Sequence, residues 1–319
     1  MRTKNSNFNN VGIRSTGSYL PAKILSNEDV VANLPTSPEW IVETLGIRER
    51  HIAEPEEYTS DLAACAGLAA IASAGLEPND IDLIIVATAT PDRKAPSAAC
   101  IAQAKMGIHN GCAAFDVGAV CSGFLYGVTI AGQFIQNGTY DHVLVIGADT
   151  FSKITDWTHR NCVFFGDGAG AVVLERNDRR NGLFSSIVMA NGEGMNHFTV
   201  QPGAACFTMN GKMVYQTATT ILPECIGQIL SINRLGLEDV SLIVPHQASA
   251  HVLQRTAEIL NVPFSKLQTN LESCANTAGA SIPLVLDQVN RRGLVHEGDL
   301  LLFAAVGAGW TWGACLYRW

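Results

Sequence analysis

The sequence is poor in several features that mark particular classes of protein. Charged residues make up 16% of its 319 positions, and the formal net charge is −8, so it lacks the basic surplus that nucleic-acid binding requires. No apolar run approaches the length of a membrane span, and the amino terminus MRTKNSNFNN lacks the apolar stretch of a secretory signal. We therefore expect a cytoplasmic protein that binds no nucleic acid and inserts into no membrane.

The cysteines lack the spacing of a metal or redox motif. No two of the nine are separated by two residues, as they would be in a zinc ribbon or a thioredoxin-like site. This pattern favours a reduced compartment in which most thiols pack as small apolar side chains, and it predicts no metal site. The cysteines occur singly, at Cys65, Cys100, Cys112, Cys121, Cys162, Cys206, Cys225, Cys274 and Cys315.

The apolar residues form continuous runs rather than alternating ones. Such runs are typical of parallel strands whose two faces are both covered by helices. The stretches at 60–75 and 251–261 read as helices between them. The pattern therefore predicts an α/β protein. The strand-like runs are IDLIIVATA (81–89), HVLVIGAD (142–149), LIVPH (242–246) and LLLFAAVGAG (300–309).

The order of these segments occurs twice. A strand, a glycine-bearing helix and a second strand span about 60 residues in each half, Ile85 to Val145 and Ile243 to Leu302. We expect an internal duplication, with halves at 1–176 and 183–319 joined by the polar stretch ERNDRRNG (175–182). The alternative is that no duplication occurred, since any α/β chain alternates strands and helices.

Cys121 lies between the strand-like AFDVGAV and an apolar helical segment from Gly123 to Gln136. A thiol at a helix amino terminus is close to unpaired N–H groups and the positive end of the dipole, which favour the reactive thiolate. The neighbouring glycine would let a substrate approach closely. The alternative is that Cys121 is packing material.

Two further polar residues follow apolar segments in the second half. His246 ends the strand LIVPH, at the carboxyl end where open α/β sheets bind ligands, although a structural histidine is equally compatible with this position. Asn276 lies in CANTAGASIPL, where it could also be a simple helix cap. GDGAG (166–170) lacks the ending of a phosphate loop and reads as a tight turn between two strands.

Taken together, these motifs resemble β-ketoacyl-acyl-carrier-protein synthase III, the initiating condensing enzyme of the thiolase superfamily. The resemblance implies a thiolase-like fold of five αβαβα layers, a homodimer, and Cys121 as nucleophile with His246 and Asn276 as partners. The matching segments are SPEWIVETLGIRERHIA (37–53), PSAAC (96–100), FDVGAVCSGF (115–124), FGDGAGAVVL (165–174), PHQAS (245–249), NTAGASIP (276–283) and GAGWTWGA (307–314).

The resemblance also implies a reaction. Cys121 would take an acyl group from acyl-CoA, with the backbone N–H groups of Cys121 and Ala308 as an oxyanion hole. A malonyl thioester, most simply malonyl-acyl carrier protein, would then lose carbon dioxide while His246 and Asn276 stabilise its enolate. Condensation would give a 3-oxoacyl thioester. Because decarboxylation drives the step, no metal or redox cofactor is expected.

Several positions depart from the family pattern. Ala95 stands where members carry a bulky residue at the end of the acyl pocket, contributed across the dimer, so we expect an acyl group longer or more branched than acetyl. Trp40 and Arg160 match the walls of the adenine site of coenzyme A. Thr44 replaces a basic phosphate-binding residue, so coenzyme A binding is expected to be weaker.

The helix after His246 departs from the family as well. His251 replaces an expected arginine and Glu258 a common basic residue, while Arg255 retains one positive charge for docking an acidic carrier. Carrier binding is therefore expected to be altered. These changes suggest a paralogue that works in secondary metabolism, with fatty-acid initiation as the alternative.

Three other functions are compatible with parts of the sequence. An acyltransferase could move the acyl group from Cys121 to another acceptor without decarboxylation, but Asn276 would then have less to do. A non-catalytic partner subunit would typically have lost Cys121. A cysteine hydrolase or thiol sensor would use Cys121 and His246 but leave Asn276 and Trp40 unexplained.

Overall fold

The computed structural model describes residues 5–8, 10–32, 34–177 and 182–319. The predicted linker ERNDRRNG therefore lies partly outside the described residues, at 178–181. The strands are β1 (Ser6–Asn7), β2 (Val11–Tyr19), β3 (Lys23–Ser26), β4 (Glu49–Ile52), β5 (Leu83–Ala87), β6 (Ala113–Val117), β7 (His142–Asp149), β8 (Gly168–Arg176), β9 (Gly182–Ala190), β10 (Phe198–Thr199), β11 (Thr208–Met209), β12 (Leu242–Pro245), β13 (Leu300–Gly307) and β14 (Thr311–Arg318). The helices are α1 (Asn27–Val31), α2 (Pro38–Leu45), α3 (Thr59–Ser73), α4 (Ala98–Lys105), α5 (Gly123–Gln136), α6 (Gly211–Asn233), α7 (Ala250–Leu260), α8 (Leu271–Cys274) and α9 (Ser281–Arg291).

The first large sheet has the strand order β2-β8-β7-β5-β6. Strand β5 pairs in parallel with β6 and β7, whereas β8 runs antiparallel to both β7 and β2. The residues of β5 are all buried, and so is β7 after His142, as expected for continuous apolar strands covered on both faces. The sequence placed both strands correctly.

The second large sheet has the order β1-β9-β14-β13-β12. Strands β12 and β13 are parallel, and the remaining pairs are antiparallel. Beside β12, Leu267 forms a parallel bridge with Ile243, in the place that β6 occupies beside β5. The two sheets thus repeat one strand order. Strand β1 lies in this second sheet, although the predicted boundaries assigned residues 1–176 to the first half.

Helices α5 and α9 lie between the two sheets. Phe124 and Leu125 of α5 and Ile282 and Leu286 of α9 share one buried cluster with residues from both sheets. Helices α3 and α4 cover the outer face of the first sheet, and α6 and α7 cover that of the second. The layers therefore follow the order αβαβα, which is the thiolase-like arrangement that the resemblance implied.

Close approach between the halves depends on Gly147 of β7. A Cβ atom at this position would collide with the carbonyl oxygen of Gly279, in the turn that leads into α9. A side chain at Gly147 would therefore push the start of α9 away from the first sheet. Asn276, three residues before Gly279, lines the functional cavity described below.

One local expectation was wrong. GDGAG was expected to form a turn between two strands, but the residues before it form a 3₁₀ turn, Arg160–Phe164, and β8 begins at Gly168 inside the motif. Phe165 instead makes an isolated parallel bridge to Asn276. Within the described residues, no helix is long and apolar enough to cross a bilayer.

Candidate active site

The three residues singled out in the sequence line one cavity of about 350 Å³. Cys121 comes from the turn between β6 and α5, His246 follows β12, and Asn276 lies between α8 and α9. Cys121 lies in a connection of the first sheet, whereas His246 and Asn276 lie in connections of the second. The cavity therefore forms at the carboxyl ends of strands from both sheets, as expected for ligand sites in α/β folds.

Cys121 is held in a tight 3₁₀ turn, Val120–Ser122, immediately before α5. Val120 has φ 46°, in the left-handed region that β-branched residues rarely adopt, so the backbone is strained next to the thiol. The Ser122 hydroxyl lies 2.9 Å from the carbonyl oxygen of Ala119 and 2.8 Å from the hydroxyl oxygen of Thr311. These contacts fix the turn that presents Cys121.

The backbone N–H of Cys121 faces the end of β13. A Cβ atom placed on Gly307 would lie 3.0 Å from the nitrogen of Cys121, so glycine keeps the space beside this donor open. Ala308, the other expected oxyanion donor, follows Gly307 and lines the same cavity. Thr311 connects the two segments, because its hydroxyl lies 3.0 Å from the carbonyl oxygen of Ala119 and 3.2 Å from that of Ala308.

The environment of the Cys121 thiol opposes its ionisation. Burial raises the pKa of this thiol, and the negative charge of Asp149 raises it further. The expectation that the helix terminus favours the thiolate therefore stays a prediction, and the burial of the thiol opposes it. The thiol is expected to lose its proton only during the attack on a bound thioester.

His246 is buried and uncharged. Burial lowers its pKa from 6.5 to about 4, because a charged imidazole would lose its hydration there. Its Nδ1 lies 2.8 Å from the hydroxyl oxygen of Ser281, the first residue of α9. Since Nδ1 is occupied, Nε2 is the ring nitrogen that remains for a ligand in the cavity.

Asn276 has its side chain fixed by its own loop. The Oδ1 atom accepts a hydrogen bond of 2.9 Å from the backbone N–H of Ala278, and the backbone of Asn276 bonds to Phe164 and Gly166. Both Ala275 and Ala278 have positive φ, 56° and 46°. This arrangement leaves the amide Nδ2 as the donor available in the cavity. Asn276 is therefore not a cap of α9, whose first turn has no side-chain cap.

The predicted coenzyme A residues lie along the same cavity. Trp40, Thr44 and Arg160 all line it, and the Arg160 guanidinium is 4.3 Å from the centre of the Trp40 ring. A planar base bound between them would replace this cation–π contact with two stacked contacts. Of the two predicted docking residues, His251 lines the cavity, whereas the exposed Arg255 forms an ion pair of 2.8 Å with Glu258.

Ala95 is exposed and is not among the residues that line the cavity. Its expected place in the acyl pocket depends on a second copy of the chain, so this expectation stays a prediction. The residues of the same chain that line the cavity with Cys121 include Phe164, Phe165, Phe198 and Met209.

A phenylalanine cluster beside Cys121 was missed in the sequence. The rings of Phe151 and Phe165 stack at 4.6 Å, those of Phe198 and Phe207 at 5.1 Å, and Phe165 meets Phe207 edge-on at 5.1 Å. Cys121 packs against this cluster. Of the connection between β9 and α6, Phe198 lines the cavity.

Comparison with known proteins identifies the family. The model of 3-oxoacyl-[acyl-carrier-protein] synthase III matches residues 115–192, and the model of its C-terminal part matches residues 230–319. The β-ketoacyl-[acyl-carrier-protein] synthase III of Caldanaerobacter subterraneus is 42% identical, over 97% of both chains. This chain belongs to the 3-oxoacyl-[acyl-carrier-protein] synthase III family.

Solved structures of synthase III proteins share the fold. The synthase III of Aquifex aeolicus superimposes with a TM-score of 0.93 at 39% identity, covering 97% of this chain and all of that one. The priming β-ketosynthase of the R1128 polyketide pathway gives a TM-score of 0.91 at 28% identity, covering 98% of this chain and 97% of its own. The expected thiolase-like fold and the assignment as an acyltransferase of the condensing type are thereby confirmed.

Proposed function

We propose that this synthase III condenses an acyl-CoA starter with a malonyl thioester, with Cys121 as the nucleophile and His246 and Asn276 as the enolate-stabilising pair. The observation that carries this proposal is the meeting of these three side chains in one cavity. A thiol there faces two groups whose free ends are neutral hydrogen-bond donors. That combination suits a covalent acyl intermediate followed by charge development on a carbonyl oxygen.

In the first step, the sulfur of Cys121 attacks the thioester carbon of acyl-CoA. Because the pKa of this thiol is raised, its proton leaves as the new carbon–sulfur bond forms and passes through water to the departing sulfur of coenzyme A. The carbonyl oxygen becomes negative and accepts hydrogen bonds from the backbone N–H groups of Cys121 and Ala308. Collapse of the tetrahedral intermediate breaks the bond to coenzyme A, which leaves as a thiol, and Cys121 carries the acyl group.

In the second step, the malonyl thioester replaces coenzyme A. Its thioester carbonyl oxygen accepts hydrogen bonds from Nε2–H of His246 and Nδ2–H of Asn276. The bond to the carboxylate breaks, carbon dioxide leaves, and the enolate charge is stabilised by these two donors. The α-carbon then attacks the acyl-Cys121 carbonyl and releases the thiolate, giving a 3-oxoacyl thioester. The released Cys121 thiolate then takes up one proton from water, which restores the thiol for the next cycle.

We assign coenzyme A to the Trp40 end of the cavity. The stacked Trp40 and Arg160 would hold the adenine, and Thr44 provides no charge for its phosphates. We further propose that the malonyl group arrives on an acyl carrier protein, that the enzyme acts as a homodimer, and that Ala95 reaches the acyl pocket of the partner subunit. A cytoplasmic location suits this reaction. The pathway would be fatty-acid initiation or priming in secondary metabolism.

Intact-mass measurement tests this function directly. The purified protein and a Cys121→Ala variant are incubated with acyl-CoAs from acetyl to dodecanoyl, and malonyl-CoA or malonyl carrier protein is then added. We expect an acyl adduct only when Cys121 is present, and its discharge with carbon dioxide release and a 3-oxoacyl product. An adduct that no malonyl thioester discharges would indicate an acyltransferase with another acceptor. No adduct from any donor would refute the proposal.

A further inference from the structure

The hydrogen bond between His246 and Ser281 indicates which ring nitrogen of His246 carries the proton. We propose that Ser281 is a positioning residue that donates its hydroxyl proton to Nδ1 of His246 and thereby keeps the ring proton on Nε2, facing the cavity. The catalytic consequence of this assignment rests on the function proposed above. The assignment of the proton itself rests on the geometry alone.

The first argument is that the imidazole is neutral. His246 is only 4% exposed, and burial lowers its pKa to about 4, so near neutral pH the ring carries one proton. The two possible tautomers differ in what they present to the cavity. With the proton on Nε2, the cavity receives a donor; with the proton on Nδ1, it receives a lone pair.

The second argument is the direction of the hydrogen bond. Ser281 is fully buried, and Nδ1 of His246, 2.8 Å away, is the partner recorded for its hydroxyl among the described residues. If Nδ1 carried the proton, the hydroxyl would have to accept, and its own hydrogen would be buried without an acceptor. If the hydroxyl donates, both groups are satisfied. A buried unsatisfied donor is costly, so the second arrangement is favoured.

The third argument is that both catalytic donors are oriented in the same way. Asn276 has its acceptor end, Oδ1, bonded to the N–H of Ala278, which leaves Nδ2–H free. His246 has its acceptor nitrogen, Nδ1, bonded to the hydroxyl of Ser281, which leaves Nε2–H free. Ala278 and Ser281 thus hydrogen-bond to the acceptor atoms of the two catalytic side chains, Oδ1 and Nδ1. The two donors, Nδ2–H and Nε2–H, remain available for the same enolate oxygen.

A wrong tautomer would affect only one step. During decarboxylation, a lone pair on Nε2 would repel the developing enolate charge instead of stabilising it. The formation of acyl-Cys121 uses the backbone donors of Cys121 and Ala308, so it does not depend on the imidazole proton. Loss of the Ser281 hydroxyl is therefore expected to slow decarboxylation of the malonyl thioester and to leave acylation of Cys121 unchanged.

The experiment combines kinetics with a direct observation of the proton. The full-length protein is labelled with ¹⁵N in the imidazole rings, and the signal of His246 is assigned by its absence in His246→Gln. We expect the ¹⁵N shifts near neutral pH to show a protonated Nε2 and an unprotonated, hydrogen-bonded Nδ1. In Ser281→Ala, decarboxylation of malonyl-CoA should fall about tenfold to a hundredfold in kcat, at most the lower end of the range for a lost transition-state donor, with little change in KM.

Two further variants control this result. Ser281→Thr keeps a hydroxyl and should restore most of the decarboxylation rate. Ser15→Ala removes another buried hydroxyl, 2.7 Å from the carbonyl oxygen of Ala70 and remote from the cavity, and should leave both half-reactions unchanged. In all variants, acetylation of Cys121 by acetyl-CoA should proceed at close to the unmodified rate.

The outcomes separate this inference from the proposed function. A proton on Nδ1 in the unmodified protein, or a Ser281→Ala variant with the unmodified decarboxylation rate, would overturn the role of Ser281. If the unmodified protein does not decarboxylate malonyl thioesters at all, the proposed function fails, while the ¹⁵N shifts still decide the tautomer. Because that measurement needs no Ser281 variant, a misfolded variant does not prevent a decision.

Discussion

At the scale of single residues, the site depends on which end of each polar side chain already forms a hydrogen bond within the protein. Asn276 illustrates this, because the hydrogen bond from Ala278 to Oδ1 leaves Nδ2 as a donor. An aspartate could accept the same bond but would offer a negative oxygen where the amide offers a hydrogen. The roles of the two ends can therefore be tested by a nearly isosteric change.

We predict that Asn276→Asp blocks decarboxylation but not acylation. Loss of the donor and the added negative charge should lower the rate of carbon dioxide release from malonyl-CoA by about a hundredfold or more. The acyl adduct on Cys121 should still form, as intact mass would show. If carbon dioxide release persists at the unmodified rate, Asn276 does not stabilise the enolate.

Carrier docking can also be tested at single residues. Arg255 and Glu258 of α7 form an exposed ion pair of 2.8 Å, which leaves this face with little net positive charge for an acidic carrier. We predict that Glu258→Gln lowers KM for malonyl carrier protein several-fold at low salt, and less at high salt, because it unmasks Arg255.

The matched control for docking changes the charge elsewhere. Glu77→Gln, in the turn after α3, makes the same charge change on the outer side of the first sheet. It should not alter the KM for the carrier, and neither variant should change kcat with malonyl-CoA. Equal effects of the two substitutions would mean that only the overall charge matters, and that α7 is not the docking face.

At the scale of structural elements, the pocket wall beside Cys121 is assembled from separate segments. Phe151 follows β7, Phe165 precedes β8, and Phe198 and Phe207 come from the connection between β9 and α6. Phe165 and Phe198 of this cluster also line the cavity. If a second copy brings residue 95 to the acyl pocket as proposed, the size of this wall and the size of residue 95 would both limit the acyl chain.

We predict that Phe198→Ala extends the range of acyl-CoA donors towards longer chains. Phe198 lines the cavity and stacks on Phe207, so its removal should open space next to Cys121. The measurement is the yield of acyl-Cys121 across donors from acetyl-CoA to dodecanoyl-CoA. Phe264→Ala, on the surface after α7, is the control, and an unchanged donor profile in Phe198→Ala would exclude this wall as a determinant of length.

We predict the opposite effect for Ala95→Phe. Ala95 is exposed in the single chain, so it can narrow an acyl pocket only if a second copy brings it there. The variant should shift the donor preference towards acetyl-CoA without changing the binding of coenzyme A. A preference for acetyl-CoA in the unmodified enzyme would contradict the expectation drawn from the small side chain at this position.

The sequence predicted those elements whose structure depends on local pattern. The run HVLVIGAD became β7 with the expected bounds, because burial on both faces requires a continuous apolar strand. The residues before GDGAG were misassigned, since their 3₁₀ turn is stabilised by tertiary contacts such as the bridge from Phe165 to Asn276. The pairing of His246 with Ser281 was missed for the same reason: it joins residues 35 positions apart.

At the scale of the whole molecule, the internal repeat places the reactive centre between the halves. The turn before α5 and the turn before α9 both begin with a residue at φ 46°, Val120 and Ala278. A Cβ atom on Gly279 would lie 3.3 Å from the carbonyl oxygen of Val120, so the two turns are in contact. One turn carries the nucleophile, and the other lies between Asn276 and Ser281.

Asp149 joins the two halves beneath this centre. Its carboxylate accepts hydrogen bonds of 2.8 Å from the N–H groups of Ala89 and Gly279, one from each half, and further bonds from Thr88 and Thr90. Burial nevertheless raises its pKa from 3.8 to about 6. Two buried groups of opposite type, Asp149 and His246, therefore have pKa values that differ between the folded and unfolded protein.

These two groups should act on stability in opposite directions as the pH falls. Between about pH 6.5 and 4 the unfolded chain protonates His246 while the folded protein does not, so acidification destabilises the fold. Between about pH 6 and 3.8 the folded protein protonates Asp149 while the unfolded chain does not, so acidification stabilises it. Each effect is on the order of 3 kcal/mol, and in the overlapping range they largely cancel.

We predict that Asp149→Asn makes the free energy of unfolding fall more steeply on acidification than in the unmodified protein. The substitution removes the stabilisation that Asp149 gives on acidification and leaves the destabilisation caused by His246. The free energies of unfolding of the two proteins should therefore diverge by up to about 3 kcal/mol between pH 6 and 4. Urea titrations at fixed protein concentration measure it. His246→Gln should instead make the free energy of unfolding rise on acidification relative to the unmodified protein, because only the Asp149 contribution remains. Parallel pH curves for all three proteins would mean that neither group titrates as its burial requires.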